Sequence, residues 1–371
     1  MRAATTATIF DRFVAERVLN DQSCRGSVRL IQLNGPRDCR EVAMLGRWPL
    51  DLPQRIVEMK VVFGLRMPRD LSVSETTDRL KAAGFQCFAD LSVWKSLGAE
   101  QAVKQGARWL MSQHLRNAHD GPHFDGWCEL CRAAVRFSIS DAPQLPGVWF
   151  YRDDAVCSSC GMMARLRLGV LLLRQLLGDG RPAIYVNEQL SALYPWLLRH
   201  YADVVGSEYA PNPDTRPLLQ QRLDWLLRDQ RRELLVHEDA TCLSHPDARF
   251  NALMSFDELE HIPDYHAALR EFARVLKPGG IAVLTAPFLD GDETTRVRAR
   301  HRADGSIEHL LPPDYHGDPM VAGNQILCYQ DFGWDILAAL RSAGFSEAHT
   351  VSYWNLSLGF PSLITAWVAR R

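Results

Sequence analysis

The sequence predicts an α/β protein. Its C-terminal half reads as a doubly wound parallel sheet, preceded by a small α+β domain and a four-cysteine module. Three observations carry this reading. First, residues 252–256 form a short apolar run, as a buried parallel strand requires. Second, residues 265–276 place Leu269, Phe272, Ala273 and Leu276 on one helical face. Pro278-Gly279-Gly280 is expected to stop that helix before a second apolar run at 281–285. Strand, crossover helix and parallel strand make a right-handed unit. Ligands of such sheets bind at the carboxyl ends of the strands, which gathers Asp239, Ser255 and Asp257 in one crevice. Third, Cys128/Cys131 and Cys157/Cys160 form two Cys-x-x-Cys pairs.

Composition narrows the class. A chain of 371 residues with 47% hydrophobic content can bury a sizeable core, and its length suggests two or three domains. The net charge of -2 shows no basic excess, so no nucleic-acid partner is expected. The arginine-rich run 228–233 reads as a solvated helix face. No stretch reaches the roughly 18 to 20 apolar residues that span a bilayer; 169–177 is too short and contains Arg174. Arg2, Asp11 and Arg12 interrupt any apolar signal core, so the expectation is a cytoplasmic protein with no membrane partner. Nine scattered cysteines do not make a secreted disulfide scaffold.

Taken in order, residues 1–125 form the α+β domain. Helical spacing is seen at 10–18, and strand patterns at 28–33 and 56–65. A helix at 74–83 starts at Ser72 or Ser74 and ends at Gly84. Strand 85–91 and helix 99–115 follow. No chemistry is assigned there. Residues 126–167 form a zinc ribbon, with Cys128, Cys131, Cys157 and Cys160 as thiolate ligands of a tetrahedral ion. Four cysteines leave no open position, so this Zn2+ is structural. The alternative is four reduced thiols. Arg132 and Gly161 follow the knuckles and let backbone amides turn toward sulfur. Val135, Phe137, Val148, Phe150 and Tyr151 are candidate hairpin positions. Cys24, Cys39, Cys87, Cys242 and Cys328 show no pairing pattern. Residues 168–371 form the third domain: helix 169–177, strand 183–186, strand 201–207, a third strand ending at Asp239, the unit described above, an insertion at 288–330, a helix near 332–345, and closing strands at 351–353 and 364–369.

Two motifs stand in this third domain: Leu259-Glu260-His261-Ile262-Pro263-Asp264, then Arg274-Val275-Leu276-Lys277-Pro278-Gly279-Gly280. In that order and spacing they resemble the class I S-adenosylmethionine (SAM) methyltransferases, in the type 11-like branch. The resemblance runs from about residue 183 to the C-terminus. The joint Cys160-Gly161 to Arg165-Leu166-Arg167 also resembles the link that precedes some zinc-containing methyltransferase domains. The resemblance implies a Rossmann-like seven-stranded methyltransferase domain with SAM at its strand ends.

It also implies roles. Glu188 reaches the methionine amino group, Glu208 the ribose hydroxyls, and Asp239 the adenine amine with the Ala240 amide beside it. Ser255 and Asp257 lie near the transferred methyl. Members of the family carry Gly-x-Gly after the first strand; here the loop reads Asn187-Glu188-Gln189, and either a decayed site or a variant loop fits. His261 is the candidate general base, with a helix-capping or packing role as its alternative. The insertion covers the substrate pocket in this family. There Tyr315 and His316 are candidate base or polarising residues, against a divalent-metal cluster or a plain hydrogen-bonded loop.

The expected function is methyl transfer from SAM to a small polar molecule or sugar, with a homo-oligomer left open. Two alternatives stand beside it. One is SAM used for alkyl transfer or internal cyclisation. The other is a methyltransferase fold that only binds.

Overall fold

A computed structural model describes residues 31–33, 44–49, 58–63, 85–86, 123–139, 155–177, 180–230, 232–289, 292–317, 325–355 and 358–371. The expected helices at 10–18, 74–83 and 99–115, the hairpin positions Val148, Phe150 and Tyr151, and Cys24, Cys39 and Cys87 lie outside these residues. The chain divides into two compact units, Met1–Leu171 with Val351–Thr365, and Leu172–Thr350 with Ala366–Arg371.

The N-terminal region contributes β1 (Ile31–Leu33), β2 (Met44–Pro49), β3 (Glu58–Phe63) and β4 (Phe85–Gln86). β2 pairs antiparallel and β4 parallel with β3, which matches the expected strands at 56–65 and the start of 85–91. β5 (His123–Cys128), β6 (Ala133–Ser138) and β7 (Val156–Cys157) form a three-stranded antiparallel sheet bearing the cysteines. The first knuckle is the turn between β5 and β6, so the hairpin begins before the cysteines rather than between them.

The next elements are α1 (Ala164–Leu177), β8 (Ala183–Val186), α2 (Leu193–His200), β9 (Asp203–Gly206), α3 (Arg216–Leu226), β10 (Phe250–Phe256), α4 (Tyr265–Val275) and β11 (Leu276–Thr285). Six short strands follow in the insertion: β12 (Arg296–Val297), β13 (Ala299–His301), β14 (Ile307–His309), β15 (Tyr315–Gly317), β16 (Gln325–Leu327) and β17 (Gln330–Asp331). They pair antiparallel as β12–β17, β13–β14 and β15–β16. α5 (Ile336–Ser342), β18 (Glu347–Asn355) and β19 (Phe360–Arg370) close the chain.

Among the described residues the main sheet has seven strands in the order β1-β18-β19-β11-β10-β8-β9. β8, β9, β10 and β11 run parallel, and β19 is antiparallel to β11. The seven are not the seven expected. The third strand, placed before Asp239, does not form; one parallel bridge, Glu208 with His237, marks its position, and β1 supplies the seventh strand. A side chain explains the loss. Buried Gln189 accepts from Val236 N at 2.7 Å and donates to Leu234 O at 3.1 Å. Gln220 likewise takes Leu235 N (2.8 Å) and Glu233 O (2.9 Å). The backbone groups that would extend a ladder are satisfied by glutamines instead.

The central unit forms as its pattern requires. β10 is buried along nearly its whole length. Asp264 caps α4 by accepting from Ala267 N at 3.0 Å, and Leu269, Phe272 and Ala273 are buried. Contrary to expectation, Pro278 does not end the helix. It ends at Val275, and Leu276 is already extended and pairs with Phe250. Pro278-Gly279-Gly280 form an irregularity inside β11, with the next pair Ala252–Ile281. Gly279 needs its φ of 77°, and a Cβ on Gly280 would sit 2.8 Å from Lys277 O.

Arg274 from the second motif is an architectural tie. It bonds Glu271 through Nε (2.8 Å) and Nη2 (2.7 Å), Asp247 (2.7 Å), and the carbonyls of His245 (2.8 Å) and Leu243 (2.9 Å). One guanidinium thus fastens the 243–247 loop to α4. Lys277 serves similarly, donating to Asn251 at 3.0 Å, and Asn251 also receives Ala183 N at 3.0 Å.

Candidate active site and metal centres

The carboxyl ends of β8, β9 and β10 meet in one polar cluster. Asn187 N continues the β8–β10 ladder to Met254 O at 2.9 Å. Its side-chain oxygen accepts from Tyr185 Oη at 3.0 Å, and its amide donates to Glu258. Glu258 also accepts from Ser255 Oγ at 3.0 Å, and Tyr185 Oη lies 2.6 Å from Ser207 Oγ. Desolvation pushes the Glu258 carboxyl up to about 8, against its hydrogen bond from Ser255 and with help from the charge on Glu208. Glu258 was passed over in the sequence, although it follows the singled-out Asp257. Ser255 is buried, and its hydroxyl donates to Glu258.

Glu188 stands part-buried in the loop after β8. Glu208 holds that loop: its Oε1 accepts from Gln189 N at 2.6 Å and Leu190 N at 2.8 Å. The glycine missing from the loop stands opposite it, on β9. A Cβ at Gly206 would lie 2.5 Å from the Tyr194 ring and 2.9 Å from Gln189, so bare backbone there admits the larger loop side chains. Asp257 takes a left-handed φ of 53°, with its amide on Thr285 O (2.8 Å) and its Oδ1 accepting from Thr285 Oγ1 (2.9 Å). A non-glycine residue strained at a strand end is a recurrent mark of a binding site.

Asp239 does not end a strand. It is exposed, and its Oδ1 accepts from Thr241 N (2.8 Å) and Thr241 Oγ1 (2.7 Å) in a tight Asx turn. Ala240 beside it is buried. Its neighbour Glu238 turns inward and holds Ser244.

A second cluster joins the Leu259–His261 turn to the insertion. His261 does not cap α4, which Asp264 does. Its Nδ1 lies 2.9 Å from Leu327 O and 4.0 Å from Cys328 Sγ. The His261 and His316 rings stand perpendicular, with centroids 5.1 Å apart. Fully buried Glu260 places Oε1 3.7 Å from His261 Nε2 and 3.5 Å from His316 Nδ1. Hydrogen bonds with Cys328 and Glu260 push His316 up to about 10. Burial opposes ionisation of the Cys328 thiol, yet the two imidazoles hold it below the usual thiol range. The structure brings His261 and His316 together but not Tyr315, which is 48% exposed on β15. Glu260 and Cys328 are the members that sequence reasoning missed; Cys328, set aside as unpatterned, is buried here.

The four predicted cysteines do converge. Their sulfurs lie within 4.8 Å of one another, with Cys131 and Cys157 at 3.8 Å. Arg132 (φ 52°) and Gly161 (φ 71°) take the left-handed turn after each knuckle. The Ser159 amide points at Cys157 Sγ at 3.4 Å. These features fit a tetrahedral thiolate ion. Buried Arg167 lies beside them, stacked over Phe137 (4.4 Å) and Phe360 (4.9 Å), with its donors on the Leu358 (3.0 Å), Ala155 (3.0 Å) and Gly359 (2.5 Å) carbonyls. Burial pulls its pKa below the usual guanidinium value, and the nearby cysteine sulfurs, when charged, oppose that shift. Gly359 is obligatory: φ is 79°, and a Cβ would lie 2.3 Å from Phe137.

The second unit is therefore an α/β domain with a polar cluster at its strand ends. Residues 191–284 match the family described as "Methyltransferase domain". The chain is 31% identical over 96 residues to the 27-O-demethylrifamycin SV methyltransferase of Amycolatopsis mediterranei, covering 25% of this chain and 35% of that protein. It is 33% identical over 84 residues to the demethylmenaquinone methyltransferase of Staphylococcus saprophyticus, covering 23% and 34%. The chain thus spans about a third of the length of these curated relatives. A looser likeness, with a TM-score of 0.31 and 20% identity over 56% of this chain and 78% of the other, is to the Burkholderia thailandensis 1,6-didemethyltoxoflavin-N1-methyltransferase with bound 1,6-didemethyltoxoflavin and S-adenosylhomocysteine. Within residues 191–284 the chain is thus similar to SAM-dependent methyltransferases. No helix among the described residues is long and apolar enough to cross a membrane.

Proposed function

We propose that the chain transfers the methyl group of SAM to a small polar molecule or sugar. One observation carries the reading: the matched segment 191–284 contains β9, β10 and most of β11, and the ends of β8, β9 and β10 carry the acids such a ligand needs. SAM supplies an electrophilic methyl on a sulfonium. Glu208 is assigned to the ribose hydroxyls, Glu188 to the methionine ammonium, and Asp239 with Ala240 to adenine. Ser255 and Asp257 are assigned to the methyl end, with Ser255 acting through Glu258. The domain's contribution is to hold acceptor and methyl in line and exclude water. Where the acceptor must lose a proton, His261 and His316 are the assigned groups, with Tyr315 at the rim. Cys128, Cys131, Cys157 and Cys160 are assigned a structural Zn2+.

One observation favours a second reading. The family match begins at Ser191, just beyond the Asn187-Glu188-Gln189 loop, and that loop is built on a buried glutamine rather than glycine. A changed methionine end is compatible with attack on the aminobutyrate arm. Product analysis after incubation with SAM and a panel of small hydroxyl and amine acceptors separates the readings. S-adenosylhomocysteine is expected. Methylthioadenosine would favour the second reading, and no product with any acceptor would favour a binding module.

A further inference from the structure

We propose that His261, His316 and Cys328, with Glu260 beside the two imidazoles, form a second, separate binding site for a zinc-class divalent ion. The first motif and the insertion would then be pinned to each other through a metal.

Four features converge. The donor atoms of His261, His316 and Cys328 lie within 4.8 Å of one another. Glu260 Oε1 sits 3.7 Å from His261 Nε2 and 3.5 Å from His316 Nδ1. Tetrahedral zinc with N and O ligands at about 2.0–2.2 Å spaces them roughly 3.3–3.6 Å apart, so the Glu260–imidazole pairs are already near that spacing, while the His261, His316 and Cys328 donors, within 4.8 Å of one another, have to draw closer around an ion. Third, His261 Nδ1 lies against Leu327 O at 2.9 Å. Metal-bound imidazoles ordinarily make such an outer hydrogen bond; it leaves Nε2 toward Glu260, while Nδ1 also lies 4.0 Å from Cys328 Sγ, so the ring has to turn slightly to offer one nitrogen to an ion.

The fourth feature is independent of spacing. Glu260 is completely buried, and its carboxylate faces the two imidazoles at 3.5 and 3.7 Å without a closely formed hydrogen bond to either oxygen. A buried carboxylate held only by such loose ion pairs is costly. A dication between it, the two imidazoles and the thiolate removes that cost. The mixed sulfur, nitrogen and oxygen set suits zinc better than magnesium or calcium, which take oxygen ligands. The surrounding backbone is fixed for the purpose: Tyr329 N donates to Glu260 O at 2.8 Å, and Gln330 Nε2 donates to Leu259 O (2.5 Å) and Ile262 O (2.9 Å).

The inference rests on the same domain and, with metal loaded, replaces the base role assigned to His261 and His316 above, since a metal-bound imidazole has no free lone pair for a proton; its test does not depend on methyl transfer. The full chain, purified and then reloaded with zinc alone, is assayed for bound zinc per chain. A second equivalent is expected beyond that held by the four cysteines. His316→Ala and Cys328→Ala should each lose one equivalent, and Cys131→Ala the other. Co2+ loading gives an independent readout: His316→Ala should change the visible bands of the Co2+ protein while leaving those of the four-thiolate centre. His316 is part-exposed on the β15 edge, so this variant remains informative if Cys328→Ala fails to fold. An unchanged zinc count in His316→Ala, or a wild-type count lost entirely with Cys131, overturns the proposal. Success with no SAM turnover would leave the metal site standing and remove only the methyltransferase reading.

Discussion

Two stretches of the second unit contrast sharply. The motif segment from Leu259 to Gly280 carries the family likeness, yet much of it is architecture. Arg274 ties a loop to a helix, Lys277 anchors Asn251, and the glycines shape an irregular strand. The Asn187–Gln189 loop departs from the family pattern, yet Glu208 holds it at the strand ends, where the proposed ligand would bind. The likeness therefore reports how the domain is held together. The loop that departs from it is where the reaction is to be learned.

Breaking the architectural side should cost stability and spare binding. Arg274→Ala removes charge-assisted bonds to two carboxylates and two carbonyls. The expected loss of unfolding free energy is about 3 kcal/mol, read by denaturant unfolding. SAM affinity of the folded fraction should stay within a few-fold. Arg274→Lys should recover little, because a point charge cannot replace the forked guanidinium. A large loss of affinity with unchanged stability would reverse the contrast drawn above.

A smaller effect comes from Glu271, whose carboxyl is held below its ordinary value chiefly by the Arg274 hydrogen bond. Its folded-state pKa is depressed, so its stabilisation is present above the unfolded carboxylate value. It is lost as pH falls through the folded-state value. Glu271→Gln should cost about 1 kcal/mol near neutral pH, and the difference from wild type should vanish in acid. Equal stability of the two proteins at pH 7 would show that the clamp contributes little.

How much the sequence revealed follows the range of each interaction. Strand 183–186 and the unit around β10 and α4 were legible because apolar spacing is local. The cysteine knuckles were legible because two residues between ligands is a local constraint too. The third strand was misread because its run looked extended, while the groups that replace its ladder, Gln189 and Gln220, are distant side chains. The Glu260 cluster left no pattern for a similar reason. Its members come from the Leu259–His261 turn, from β15 and from the residue after β16, and only the antiparallel pairing of β15 with β16 brings His316 and Cys328 near each other. Pro278 misled because a helix breaker also serves inside a strand irregularity.

The central claim is that the strand ends of β8, β9 and β10 bind SAM. Isothermal calorimetry with S-adenosylhomocysteine on the full chain tests it most directly, using Glu208→Gln beside Glu208→Ala because the glutamine keeps an acceptor for the Gln189 and Leu190 amides. The account predicts micromolar binding by the wild type and at least a tenfold loss in both variants, with the glutamine variant melting at the wild-type temperature. No binding by the wild type, or wild-type affinity in both variants, would contradict it.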